Sequence, residues 1–112
     1  MNALEGKIAF ITGAAMGNGA GIATVFAEKG ATVILADISE TVFDTAAKIG
    51  QGAVAYQVDI SDYDAVKKVA DDVIAKFGRL DILVNNAGIA RFVDVRNMSD
   101  ELRDRHWQVN VV

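Results

Sequence analysis

The chain contains no cysteine and only one histidine, His106, among its 112 residues. Without thiols there can be no disulfide, thiolate nucleophile or thiolate metal site, and one imidazole cannot make a histidine cluster. No apolar run approaches the ~18 residues of a membrane-spanning helix. The N-terminus lacks the basic-then-apolar pattern of a secretion signal. A basic block is missing too. The 11 Lys and Arg residues are scattered and the formal net charge is -4, so there is no general attraction to nucleic acid. What is present is a 52% apolar, 23% charged composition, the balance of a globular chain, with length enough for one small domain and not for two. These features fit a cytoplasmic protein with an organic ligand, with neither nucleic acid nor membrane as partner.

Short apolar, β-branched runs alternate with helical patterns. Residues 7–12 (KIAFIT) predict a strand broken by Gly13, and Ile22, Val25 and Phe26 then recur at helical spacing within Ala20–Lys29, which Gly30 closes. Residues 31–36 (ATVILA) predict a second strand. Ser39 can cap a helix with Val42, Phe43, Ala46 and Ala47 on its buried face, ending at Gly50-Gln51-Gly52. A third strand is expected over 53–58 (AVAYQV). A helix follows, with Ser61 and Asp64 in a capping-box arrangement and Val66, Val69, Val73 and Ile74 on one face. Residues 81–84 (DILV) predict a fourth strand. Ser99 then starts a last helical pattern in which Leu102, His106 and Val109 face one way and Trp107 and Val111 the other.

Near-continuous apolar strands separated by helices imply a parallel sheet covered on both faces, an α/β fold of three layers. A full doubly wound sheet needs about six strands, and four are legible here. The final HWQVNVV breaks off while its apolar pattern continues, so the expectation is a cut fold rather than a small four-stranded domain complete in itself. On that expectation the strand at 81–84 is left as an apolar edge open to pairing with another chain, and self-association is expected, through this edge or by sharing of the final helix.

Thr12-Gly13-Ala14-Ala15-Met16-Gly17-Asn18-Gly19 lies between the first strand and the first helix. Gly13 permits a tight turn, and Gly17 and Gly19 let backbone N–H groups and the helix N-terminus approach a pyrophosphate. No Lys-Ser or Lys-Thr follows the last glycine, which disfavours a nucleoside-triphosphate loop. Asp37 ends the second strand 18 residues beyond Gly19. A carboxylate there can accept hydrogen bonds from both hydroxyls of an adenosine ribose, and it would repel a 2′-phosphate. Neither Met16 nor Ile38 offers a compensating cation, so NAD is expected over NADP. Asp59, at the end of the third strand, either caps the turn before Ser61 or borders the adenine with Ile60.

With Asn85-Asn86-Ala87-Gly88 after the fourth strand, the sequence resembles the short-chain dehydrogenase/reductase family, classical type. The TGxxxGxG form of residues 12–19, NNAG, Asp37, Asp59-Ile60 and the Asn of WQVNV carry the resemblance. It covers the whole chain but only the N-terminal, cofactor-binding half of a typical member. It implies a Rossmann-like α/β/α fold with sheet order 3-2-1-4, truncated after the fourth strand and the start of the next helix. Residues 1–112 would then be an incomplete NAD-binding domain. It also implies that Gly13, Met16, Gly17, Asn18 and Gly19 surround the pyrophosphate and its ribose. Asp37 and Ile38 would take the adenine ribose, and Asp59 and Ile60 the adenine. Asn86 would brace the strand end, Ala87 and Gly88 would line the dinucleotide, and Thr12 would tie the two loops together. Asn110 would kink its helix and hold a water of a proton relay. Asn18 departs from the apolar residue the family mostly has, and its polar group needs a partner.

Hydride transfer to or from a carbonyl or carbinol carbon needs a group to move the oxygen's proton. The family uses a Tyr, a Lys four residues later and a nearby Ser. Tyr63 and Lys67 have that spacing, but they sit beside the Ser61 cap on the adenine side and read as a surface pair. His106 shares an apolar face with Leu102 and Val109 and reads as packing. The expectation is an NAD-dependent oxidoreductase acting on an alcohol or ketone in a longer protein, with the 112 residues inactive alone. A non-catalytic dinucleotide-binding or sensing module, and another Rossmann-like enzyme such as a methyltransferase, remain alternatives.

Overall fold

The computed structural model describes residues 3–86 and the backbone of residues 108–111. Its elements are β1 (Ile8–Thr12), α1 (Gly17–Glu28), β2 (Thr32–Asp37), α2 (Thr41–Ile49), β3 (Val54–Gln57), α3 (Tyr63–Phe77), β4 (Ile82–Asn85) and β5 (Gln108–Val111). They form one parallel sheet ordered β3-β2-β1-β4-β5, which contains the expected 3-2-1-4 order.

Period-two alternation in the strands divides the core into two layers. Ala9 and Ile11 of β1, Val33 and Leu35 of β2 and Ile82 and Val84 of β4 face α1 and α2, where Ala23, Ala27, Val42 and Ala46 are buried. Ile8, Phe10, Ile34, Ala36 and Leu83 face α3, packing with Val66, Ala70 and Val73. The fully buried positions of α1 are Gly19, Ala23 and Ala27, with Ile22 and Phe26 packed beside them against the same layer, as their spacing predicts. Small residues at the buried positions bring the helix axis close to the strands, which leaves Val25 46% exposed although its spacing predicts burial. In α2 the buried positions are Val42 and Ala46, while Phe43 is 49% exposed and Ala47 is also exposed. The apolar arc of this helix is wider than the stripe that meets the sheet, so pattern alone cannot choose its edge. Helix α3 is capped by Asp62, whose carboxylate accepts from the Ala65 N–H at 3.2 Å, one residue later than the expected Ser61 cap. Gly78 closes it in the left-handed conformation at φ 75°.

The C-terminal pattern differs from the helix expected. Residues 108–111 are extended and pair in parallel with β4, Val84 opposite Asn110. Gln-Val-Asn-Val alternates and is β-branched at every second residue, and a short apolar run of this kind suits a strand as well as a helix. The backbone groups offered by β4 supply the hydrogen-bonding partner that decides between them. β4 is therefore interior, and the expectation of self-association through its edge loses its basis. Residues 99–107 of the pattern, including Leu102, His106 and Trp107, lie outside the described residues.

At the opposite end of the sheet from the glycine loop, Asp81 joins the starts of β1 and β4. Its N–H donates to the Ile8 carbonyl at 2.9 Å, and its carboxylate accepts from the Ile8 N–H at 2.8 Å. Arg79 adds a forked contact, from Nε at 2.9 Å and Nη2 at 2.5 Å. Burial pushes the Asp81 carboxyl up, but the Arg79 hydrogen bonds, the Ile8 amide and the charges of Arg79 and Lys7 outweigh it, leaving the group below its ordinary value of 3.8. A carboxyl whose folded value is depressed contributes its full stability above the unfolded value and loses it as pH falls through the folded one. Changing Asp81→Ala should cost about 1–3 kcal/mol at neutral pH, because the Ile8 N–H is left buried and unpaired. It should also make stability fall less steeply below pH 3.8 than in the unmodified chain. Urea unfolding across that range checks both effects, and parallel curves with equal midpoints would remove Asp81 from the account.

Candidate functional site

The C-terminal ends of β1 and β4 are joined through Thr12, which is 2% exposed. Its hydroxyl accepts from the Asn86 N–H at 3.0 Å and lies 3.3 Å from the Asn85 Oδ1. The Asn86 side chain reaches back and donates from Nδ2 to the Gly13 carbonyl at 3.1 Å. Gly13 turns the chain out of β1 at φ 62°, and Gly17 opens α1 at φ 64°, a region L side chains rarely enter. Gly19 is required for a different reason. A β-carbon there would stand 2.1 Å from the Gly13 carbonyl oxygen and 2.8 Å from Asn86 Nδ2. The first turn of α1, the glycine loop and the end of β4 are thus in mutual contact, and Thr12, Gly13, Gly19 and Asn86 are brought to one place. Ala87 and Gly88 lie outside the described residues.

The N-terminus of α1 differs electrostatically from its neighbours. Acidic residues occupy the first turns of α2 (Asp44) and α3 (Asp64), whereas α1 has none, and its N-cap, Met16, makes no side-chain capping bond. The leading N–H groups of a helix have no intrahelical partner and carry the positive end of its dipole, so this first turn is free to receive an anion. Met16 is 65% exposed at its mouth. Asn18 is also exposed, so water can satisfy the amide that replaces the family's apolar residue.

Asp37 meets the loop from the end of β2. Its Oδ2 accepts from the Ala15 N–H and its Oδ1 from the Ser39 N–H, both at 2.9 Å. An ionised carboxylate has about four acceptor sites, so two are used here and two remain for hydroxyls of a ligand. Ile38 follows, 65% exposed. The sequence reading passed over Ala15, because alanine has no functional side chain. Its contribution is its main chain, and nothing in residue type signals that.

Asp59 caps the turn before α3, its Oδ1 accepting from the Ser61 N–H at 2.9 Å and from the Ser61 hydroxyl at 2.7 Å. Of the two readings open for it, this is the one the geometry displays. Ile60 is half-buried against the α3 side of the core. Asn110 stands in β5, so the helical setting on which its proton-relay role rested is not found.

No tyrosine among the described residues is set up for proton transfer. The Tyr56 hydroxyl donates to Asp72, which also pairs with Lys76 at 3.2 Å. Burial, then the Asp72 hydrogen bond and charge, push Tyr56 up to about 12. Tyr63 is an exposed first residue of α3, and Lys67 is paired with Asp71 at 3.1 Å rather than with Tyr63. No group of three metal-binding side chains occurs among the described residues, and none of their helices is long and apolar enough to cross a membrane.

Comparison with known proteins agrees with this geometry. The chain is 42% identical over 112 residues to the 3-oxoacyl-(acyl-carrier-protein) reductase of Thermotoga maritima, covering 96% of this chain and 46% of that protein. The 3-ketoacyl-(acyl-carrier-protein) reductase of Brucella melitensis, solved with NADH, superposes with a TM-score of 0.73 at 45% identity, over 78% of this chain and 36% of that one. A short chain dehydrogenase of Mycobacterium paratuberculosis, solved with NAD, gives 0.71 at 39% identity, over 78% and 38%. The chain spans less than half the length of the curated relatives it matches, 42% and 46% for two of them. Residues 7–112 match the short chain dehydrogenase family model, and the chain belongs to that family.

Proposed function

We propose that residues 1–112 form the dinucleotide-binding part of an NAD-dependent oxidoreductase acting on an alcohol or ketone. The observation that carries this reading is the acid-free first turn of α1, packed through Gly19 onto Gly13 and bordered by Asp37. An NAD pyrophosphate fits a cradle of unpartnered N–H groups with no carboxylate in it. The ribose diol fits the two acceptor sites left on Asp37, and a 2′-phosphate at that place would meet a carboxylate. When bound, NAD supplies a hydride acceptor. The chain's own residues bind and orient it: Met16, Gly17, Asn18 and Gly19 at the pyrophosphate, Asp37 and Ile38 at the adenine ribose. Ile60, in the turn that Asp59 caps, is assigned to the adenine, and Ala87 and Gly88, next in sequence after Asn86, are assigned to the dinucleotide. Family membership removes the methyltransferase alternative, and the dehydrogenases and reductases among the relatives support catalysis over sensing in the longer protein.

Calorimetric titration of the chain should give weak NAD binding and weaker NADP binding. With NAD and a panel of alcohols, absorbance at the reduced-nicotinamide band should stay at background, because Tyr56 is held by Asp72 and the lysine four residues after Tyr63 is paired with Asp71. Equal or tighter NADP binding would overturn the cofactor assignment. Turnover abolished by Tyr63→Phe would overturn the dismissal of that pair.

A further inference from the structure

We infer that Thr45, in α2 and outside the ligand-facing residues, is a positioning residue that sets the orientation of the dinucleotide loop through the carbonyl of Ala15. The inference rests on the dinucleotide reading above and assigns the loop's geometry to a residue 30 positions away.

Ala15 is buried, 4% exposed, in the middle of the loop. Its two peptide units are held from two different elements. The N–H donates to Asp37 Oδ2 at 2.9 Å, from the end of β2. The carbonyl accepts from the Thr45 hydroxyl at 2.5 Å, from the second turn of α2. Thr45 has one hydroxyl proton, and its other acceptor in reach, the Thr41 carbonyl, is farther away at 3.3 Å. The bond to the loop therefore takes the proton. The side chain approaches from the cleft between α1 and α2, which it lines with Ala20, Thr24 and Lys48, so its contact with the loop is made from behind.

The consequence follows from peptide geometry. No cis peptide bond occurs among the described residues, and across a planar trans peptide the N–H points opposite to the C=O. Anchoring the Ala15 carbonyl on α2 turns the Met16 N–H away from α2. Met16 is the N-cap of α1, so this peptide is the last one before the anion-receiving turn. Without the Thr45 bond the plane is free to rotate and the cradle loses a fixed donor. Thr45 offers little to α2 itself, since threonine is a weaker helix former than alanine. Its hydroxyl acts on the loop.

The test uses Thr45→Val, which keeps the shape and removes the hydroxyl, and Thr45→Ser, which restores it. NAD titration by NMR should show affinity lowered about 3- to 10-fold in the Val variant, the ratio matching one net hydrogen bond, and recovered to within about twofold by Ser. Hydrogen exchange at the Ala15 amide, measured without ligand, should quicken in the Val variant and not in the Ser variant. Absence of NAD binding by the unmodified chain would overturn the dinucleotide reading, and with it the role given to Thr45. NAD binding by the unmodified chain, with the Val variant equal to it or with Ala15 exchange unchanged, would overturn the inference about Thr45 alone.

Discussion

Changing Gly19→Ala should abolish measurable NAD binding and destabilise the chain, while Gly21→Ala, half a turn further along the same helix, should do neither. The β-carbon introduced at position 19 falls 2.1 Å from the Gly13 carbonyl oxygen and 2.8 Å from that residue's carbonyl carbon. Both are backbone atoms, so no side chain can swing aside. The first turn of α1 must move off the loop, and the Asn86 bond to the same carbonyl is pushed out with it. Overpacking commonly costs about 1–3 kcal/mol, and a backbone-to-backbone collision belongs at or above the top of that range. About 3 kcal/mol lost from binding is roughly a 150-fold change in affinity, enough to remove a weak interaction from view. Gly21 is exposed with nothing within 4 Å of its added carbon, so alanine there should stabilise α1 by about 0.5–1 kcal/mol. Thermal unfolding and NAD titration of the two variants check the contrast. Equal behaviour would mean that α1 does not depend on close approach at its N-terminus.

Gly19 also shows what the sequence made legible. Its place between a strand and a helix pointed to close backbone approach, although any sharp strand-to-helix connection can use a glycine. The strands were legible because apolar β-branched runs bounded by glycine leave little choice of structure. Their alternation with helices implied a parallel sheet covered on both faces, and order 3-2-1-4 came with the fold that the family resemblance implies. Helix faces were less legible. Phe43 and Val42 are adjacent and both apolar, and only the distance of α2 from the sheet decides that Val42 is buried and Phe43 is not. Residues 108–111 were not legible at all, since their fate depends on a partner strand 23 or more residues away and not on local pattern. Within the site the same division holds. The tie made by Thr12 and the brace made by Asn86 came from the family resemblance and not from residue type, and the part taken by the Ala15 main chain came from neither.

The second large effect is expected at Asp37, and the structure changes its form. Were the carboxylate only a ribose acceptor, Asp37→Ala would simply narrow the preference for NAD over NADP. Here both carboxylate oxygens also hold backbone amides, those of Ala15 and Ser39. Hydrogen bonds to a charged group contribute about 1.5–3 kcal/mol each, so alanine loosens the loop as well as removing the ribose contact. NAD affinity should drop by more than about tenfold. NADP gains from the removed repulsion, which for unit charges 4 Å apart near a surface is about 4 kcal/mol, but it suffers the same loosened loop. The preference should therefore collapse mainly because NAD binding is lost, with NADP remaining weaker than NAD is in the unmodified chain. Asp37→Asn separates the two contributions. It removes the charge but keeps one carbonyl oxygen for one of the two amides, and sets an NH2 group against the other. NADP should bind the Asn variant more tightly than the Ala variant. Titrating both dinucleotides into all three proteins reads this directly. If the Ala variant binds NADP as well as the unmodified chain binds NAD, the carboxylate governs discrimination alone and the loop stands without it.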